Sequence, residues 1–381
     1  CFTLPVCEAS GLYRIHLRYH TGDGLVMAQE QGFWIWDDAL VMQTSGKRLS
    51  AGRDYLSLGD QIFPLFGTTY MDSLVQRKFL RLPNPARWDR DFAAMHQDGV
   101  NFIRTGIWTD WEQIMPTVGT SEAALRALDA FVMTACAHDL QVMFTFFSFC
   151  PPLIDGENAW LDPRSLRHQE AYVTLLAQRY HDVETVSWDL INEPSFGPPE
   201  HIFSQRAMPS RDPIERAAFR DWVRRRGDLD DVQMRWRLTP DQLPDWQAVA
   251  PPEDHDYSAN VRDPTTRHMF RAHDFTHFSQ DMITQWAGHL RDVIRETGNT
   301  SIVGIGQDES GSRPSPQFYG ETMDFTTTHP WWNNDDLLWD LLMDKTPDRP
   351  HLSQETGVML VRDVDGRPFR NGVEAGQLLE R

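Results

Sequence analysis

Apolar residues change their spacing along this chain. Up to about residue 60 they come in short strand-like runs, GLYRIHLRYH (11–20), GFWIWDDALVM (32–42) and RDYLSLGDQIFPLFG (53–67), broken by Gly, Asp and Ser. Three or four such runs are too few to make a sandwich. Residues 1–60 are therefore expected to be the remnant, the C-terminal part, of a β-sandwich domain. Beyond them, short apolar runs alternate with stretches of helical period. Seven runs read as strands, at 63–70, 101–107, 141–147, 185–191, 301–305, 323–328 and 351–355. Several are almost wholly apolar, as strands buried on both faces are.

The intervening stretches carry helix signals. PARWDRDFAAMHQDG sets Trp88, Phe92 and Met95 on one face and stops at Gly99. SEAALRALDAFVMTACAHD offers Ser121 as N-cap and repeats Leu125, Leu128 and Val132. EAYVTLLAQRYH and the run 264–297, with Phe278, Met282, Trp286 and Leu290, follow the same logic. Such alternation predicts an α/β fold with a parallel sheet, and seven units in line predict a (β/α)8 TIM barrel over 61–381. The count finds no eighth strand before the helical GVEAGQLLER, so the barrel is expected to be truncated before strand eight. Residues 195–262, Pro-rich and charged around IERAAFRDWVRRRG, break the rhythm just after strand four. They predict an insertion on the catalytic face that shapes a cleft, with mere decoration as the alternative.

Charge narrows the partners. Lys and Arg number 36 against 55 Asp and Glu, a formal net charge of −19. That field repels nucleic acid and suits a neutral substrate. No apolar run reaches membrane-spanning length, so no membrane partner is expected. Four cysteines, Cys1, Cys7, Cys136 and Cys150, have neither metal spacing nor the density of a disulfide scaffold. Nothing in the sequence gives a compartment.

The chemistry lies at two strand ends. VSWDLINEPSF (186–196) carries Asn192-Glu193-Pro194 where the fourth strand should stop, and Pro194 forces a loop there. RPHLSQETGVM (349–359) places Glu355 at the end of the seventh strand. Carboxylates at the C-terminal ends of barrel strands point into the mouth, where active sites on this fold lie. Strands four and seven face each other across it. Two carboxyl groups so placed can flank one glycosidic bond. A lone strand-end Glu could equally cap a turn; the pair is what argues for chemistry.

NEP after strand four and ETG after strand seven resemble the clan A glycoside hydrolases, among them cellulases, β-mannanases, β-mannosidases and β-galactosidases. The resemblance covers about 62–358. It implies retaining hydrolysis of β-glycosidic bonds, with Glu193 as general acid/base and Glu355 as nucleophile. It also implies that Asn192 bonds the sugar 2-hydroxyl, that Arg104 in GVNFIRTGIW sits beneath the nucleophile, and that His329 in MDFTTTHPWW lines the sugar site. Trp331 stands where the family has a Tyr that donates to the nucleophile, and MFTFFSF lacks the usual strand-three His. Trp331 and Trp108 are candidate sugar platforms, with Trp111 and Trp332 behind them; core packing is the commoner role for indoles. The insertion resembles the equivalent region of some β-galactosidases, and the N-terminal strands resemble the sandwich that precedes the barrel in multidomain β-galactosidases and β-mannosidases. That favours exo action on β-galactosides or β-mannosides, with a clan endo-β-glucanase or mannanase, or a non-catalytic carbohydrate binder, as alternatives. No cofactor is implied.

HDFTH (273–277) has the i, i+4 histidine spacing of a zinc helix, but Asp274 replaces the defining Glu and no third ligand is evident. The expectation is no metal there and an ordinary outer helix face.

Overall fold

A computed structural model describes residues 7–22, 24–108, 115, 120–201, 207–257, 269–307, 319–330, 341–342 and 344–356. The chain opens on a long antiparallel hairpin, β1 (Gly11–Thr21) with β2 (Gly24–Ile35), in the register Gly11 opposite Ile35. Strand β2 stops where Asp37 caps a short helix, α1 (Asp38–Met42), its carboxylate accepting from the amides of Ala39 and Leu40. The apolar ALVM run that sequence assigns to a strand is thus helical, because the Asp ahead of it satisfies the first-turn donors. Three short antiparallel strands follow, β3 (Leu49–Ala51), β4 (Leu56–Leu58) and β5 (Gln61–Ile62).

Five parallel strands then lie side by side in chain order: β6 (Gly67–Thr69), β7 (Phe102–Gly106), β8 (Gln141–Ser148), β9 (Val186–Asn192) and β10 (Val303–Gly306). A second parallel pair, β11 (Thr326–Thr328) with β12 (His351–Ser353), continues beside β10. The joint is a bond from the Asp324 amide to the Val303 carbonyl (3.0 Å) and one from the Thr327 hydroxyl to the Ile305 carbonyl (2.6 Å). These are the seven strands expected from sequence. The fold is α/β with a parallel central sheet. Strands β7, β8 and β9 are buried at every position.

Helices α2 (Pro85–Gln97), α3 (Glu122–Ala137) and α4 (Pro163–Arg179) connect the strands. Asn84-Pro85 and Asp162-Pro163 start α2 and α4 by one device: the Asx side chain accepts from a first-turn amide, and proline occupies the position whose N–H would go unused. Ser121 caps α3 through the Ala124 amide, as expected. After β9 come α5 (Pro213–Arg224), α6 (Leu229–Trp236), α7 (Asp254–Tyr257) and the long α8 (Met269–Glu296). The insertion is anchored on α8. Trp222 donates to Asp281 (2.7 Å) and Trp236 to Asp274 (2.7 Å), while Phe219 packs among Trp222, Trp236, Phe275 and Phe278. On α8, Phe278, Met282, Trp286 and Leu290 face the core.

Two apolar clusters result. The large one fills the space between sheet and helices. The small one joins Leu49 and Leu56 to Phe102, Met143, Ile302 and Phe325. Phe102 and Met143 stand near the starts of β7 and β8, Ile302 just before β10 and Phe325 just before β11. The three short strands therefore form a floor under the N-terminal end of the sheet. The hairpin packs elsewhere, against α2 and α3, with Trp34 donating to Thr134 (2.9 Å) and Asn84 to the Glu30 carbonyl (2.9 Å).

Candidate active site

The mouth is organised around Arg104 on β7. Its side chain is 1% exposed. It reaches Asp189 Oδ2 through Nε (2.9 Å) and Nη2 (2.7 Å), and Nη2 also donates to Asn192 Oδ1 (2.8 Å). Nη1 donates to Glu355 Oε1. Burial opposes the charge on this guanidinium, but Asp189 and Glu355 outweigh it and hold the group protonated, above its ordinary range. Asp189 is saturated with donors. Its Oδ2 also accepts from Thr145 (2.9 Å) and Gln354 (3.2 Å), and its Oδ1 accepts from the Gly306 amide (2.8 Å).

Glu193 follows the last residue of β9 with φ +49°. A left-handed conformation is uncommon for a residue with a side chain, costs of order 1–3 kcal/mol, and is concentrated at functional sites. Neighbouring strand ends hold it: the Glu193 amide donates to the Gly306 carbonyl (2.5 Å), the Phe149 amide to the Asn192 carbonyl (2.7 Å) and the Ser195 amide to the Phe149 carbonyl (2.7 Å). His329, fully buried just after β11, brings Nδ1 to 2.9 Å from Glu193 Oε1 and Nε2 to 2.9 Å from Gln354 Oε1. Glu355 Oε2 lies 3.8 Å from the same Nδ1.

The carboxylate oxygens of Glu193 and Glu355 and the His329 nitrogen all lie within 4.8 Å of one another. Three such atoms could share a cation, but Arg104 already supplies the positive charge to Glu355. Both carboxylates keep some exposure, 15% for Glu193 and 13% for Glu355.

The structure thus brings together Glu193, Glu355, Asn192, Arg104 and His329. Trp108 lies at their edge. It is buried, and the Arg104 guanidinium carbon stands 5.2 Å from its ring centroid, so its near face supports the arginine. Trp111, Trp331 and Trp332 lie outside the described residues. Sequence reasoning missed Asp189, Gln354 and Thr145. The available signal was a charged or polar side chain inside an otherwise apolar strand, Asp189 in VSWDLI and Thr145 in MFTFF, and a Gln directly before Glu355. His273 and His277 set their Nε2 atoms 3.1 Å apart on an exposed face of α8, while Asp274 turns away to Arg235 and Trp236. Among the described residues no third His, Cys, Asp or Glu joins them at ligand distance.

A family model described as Beta-galactosidase, glycoside hydrolase 42, matches residues 160–370, over half of the chain. The chain belongs to this family. The matched segment contains Glu193, His329, Gln354 and Glu355, so the clan A resemblance read from NEP and ETG holds. Among solved structures, the chain is similar to the β-galactosidase of the psychrophilic Marinomonas ef1 (17% identity, 71% of this chain and 42% of that one, TM-score 0.54). It is also similar to the cold-adapted β-galactosidase of Rahnella sp. R3 (16% identity, 72% and 40%, TM-score 0.56). A third is the exo-β-1,4-mannosidase Op5Man5 of Opitutaceae bacterium strain TAV5 (14% identity, 81% and 48%, TM-score 0.50). The chain spans less than half the length of each, and at these identities the likeness is one of fold. No curated protein sequence matches it. No helix among the described residues is long and apolar enough to cross a membrane.

Proposed function

We propose that this chain carries the catalytic centre of a retaining β-glycosidase, exo-acting on β-galactosides or β-mannosides, on a (β/α)8 barrel of which β6 to β12 supply seven strands. One observation carries the reading: the Glu193 and Glu355 carboxylate oxygens approach within 4.8 Å at the same end of the sheet. Retention needs carboxyl groups about 5–5.5 Å apart, whereas inversion needs a wider gap for water. Membership of a family described as β-galactosidase, and the folds of two β-galactosidases and an exo-mannosidase, support the substrate class. The N-terminal strands would be the near edge of a preceding β-domain.

Glu355, paired with Arg104, is the ionised partner and attacks the anomeric carbon. The bond to the leaving oxygen breaks as Glu193 gives that oxygen its proton. Water then attacks the glycosyl-enzyme, Glu193 takes the water's proton, and Glu355 is released. Asn192 commits its carbonyl to Arg104, which leaves its amide N–H groups to meet the sugar 2-hydroxyl.

A panel of nitrophenyl β-galactoside, β-mannoside, β-glucoside and β-fucoside tests activity and sugar together. Proton NMR of the first product anomer tests the stereochemistry. Retention on at least one substrate is expected; inversion, or no turnover of any, overturns the proposal. Glu193→Gln should lose about 10²–10⁴-fold on poor leaving groups and much less on activated ones. Equal loss on both would remove Glu193 from the acid role.

A further inference from the structure

We propose that Gln354 is a positioning residue: it fixes His329 as the neutral tautomer protonated on Nε2, whose bare Nδ1 makes Glu193 the hydrogen-bond donor and so holds the catalytic proton on Glu193. The inference rests on the acid role given to Glu193 above.

Donor and acceptor chemistry around Gln354 fixes which nitrogen of a neutral His329 carries hydrogen. The Asp189 carboxylate can only accept, and it already takes Arg104, Thr145 and the Gly306 amide. The Gln354 side-chain nitrogen, 3.2 Å from Asp189 Oδ2 and 3.2 Å from Met143 Sδ, must therefore be its NH2. Reversing that amide would set its oxygen against a carboxylate. With the NH2 so directed, Gln354 Oε1 faces His329 Nε2 at 2.9 Å. An amide oxygen only accepts, so Nε2 carries hydrogen. A neutral imidazole has one N–H, which leaves Nδ1 as a lone pair. Its partner at 2.9 Å is Glu193 Oε1, and that contact is a hydrogen bond only when Glu193 is the acid.

The competing state is an imidazolium beside a Glu193 carboxylate. A carboxylate behind a histidine stabilises imidazolium, as in hydrolase triads. Here the group behind it is the Gln354 amide oxygen, 2.9 Å from Nε2, which accepts one hydrogen bond and supplies no counter-charge. The charged groups among the described residues around the pair are Glu355 just after β12, Arg104 on β7 and Asp189 on β9; β8 and β10 contribute Thr145, Met143 and Gly306, all uncharged. Glu355, at 3.8 Å, favours imidazolium, but its charge is engaged by Arg104. In the second half-reaction the ionised Glu193 faces a lone pair, an arrangement relieved when it takes the proton from water.

Imidazole nitrogen NMR on the ¹⁵N-histidine-labelled chain tests this directly, with the His329 signal identified by its loss in His329→Gln. At neutral pH we expect a proton on Nε2 and none on Nδ1. A proton on Nδ1, alone or with one on Nε2, overturns the proposal. This readout needs no turnover, so it decides the inference even if the glycosidase panel fails. Kinetics supply the second arm. In Gln354→Leu, kcat/KM should fall about 10²-fold for a methyl glycoside. It should change little for the dinitrophenyl glycoside of the same sugar, and the basic limb of the pH profile should move to lower pH. Equal loss on both substrates with an unmoved limb would make Gln354 merely structural.

Discussion

Arg104 illustrates how much a single buried side chain can organise. Its guanidinium pairs with both Asp189 and Glu355, two carboxylates in a site of low dielectric. Removing it leaves both without that partner. Arg104→Met is expected to cost about 3–5 kcal/mol in urea unfolding and to abolish turnover. Arg104→Lys should recover stability in part and activity hardly at all, because one ammonium cannot match the fork that serves Asp189, Asn192 and Glu355 together. A stability loss below about 1 kcal/mol in Arg104→Met would show that the network is weaker than its geometry.

At the scale of elements, strand β10 ends where side chains from β7, β9 and the residue after β12 converge. A Cβ on Gly306 would stand 2.6 Å from Arg104 Nη2, 2.7 Å from Gln354 Oε1 and 3.0 Å from Asp189 Oδ2. Gly306→Ala should therefore lower kcat/KM sharply while costing about 1–3 kcal/mol, read by parallel kinetics and melting. In β12, His351 Nδ1 meets the Thr326 hydroxyl at 2.8 Å, and burial, with Lys345 nearby, lowers the imidazole from 6.5 to about 4. The unfolded chain binds a proton here between about pH 6.5 and 4 and the folded chain does not, so stability falls as pH drops through that window. The contribution is at most about 3 kcal/mol. His351→Asn should flatten the acid side of the stability–pH curve; an unchanged slope would contradict the assignment.

The elements were also where sequence spoke most clearly. Strands β7 to β9 were legible because both their faces are buried, and α2 and α3 because Trp88, Phe92, Leu125 and Leu128 recur at helical spacing. Glu193 and Glu355 were legible because each follows closely on the end of a strand-like run. Asp37 turned a strand-like run into a helix through one local cap, which apolar content alone cannot reveal. Asp189 and Gln354 were illegible for another reason. Their meaning is relational: each matters through groups on other strands, and a period along one strand carries no record of them.

For the whole molecule, the floor of β3, β4 and β5 lies under one end of the sheet and the carboxylates at the other, joined through Met143, which packs in the floor cluster and meets Gln354 at 3.2 Å; substitutions in the floor that leave Met143 in place should change stability and not catalysis. Leu56, 4% exposed, packs in the floor. Leu56→Ala should cost about 2–5 kcal/mol, seen as a lower melting temperature, with KM and kcat unchanged at temperatures where the chain stays folded. A shift in KM would mean that the loss at Leu56 is passed to Gln354 through Met143.

The guanidinium on β7 closes its ring of bonds only when Glu355, 251 positions later in the sequence, has arrived. Contacts between residues so distant form slowly, because a long loop must close first. After dilution from denaturant, tryptophan emission from rings such as Trp188 should therefore return early, and the ability to turn over a glycoside should come back last, when β12 settles beside β11.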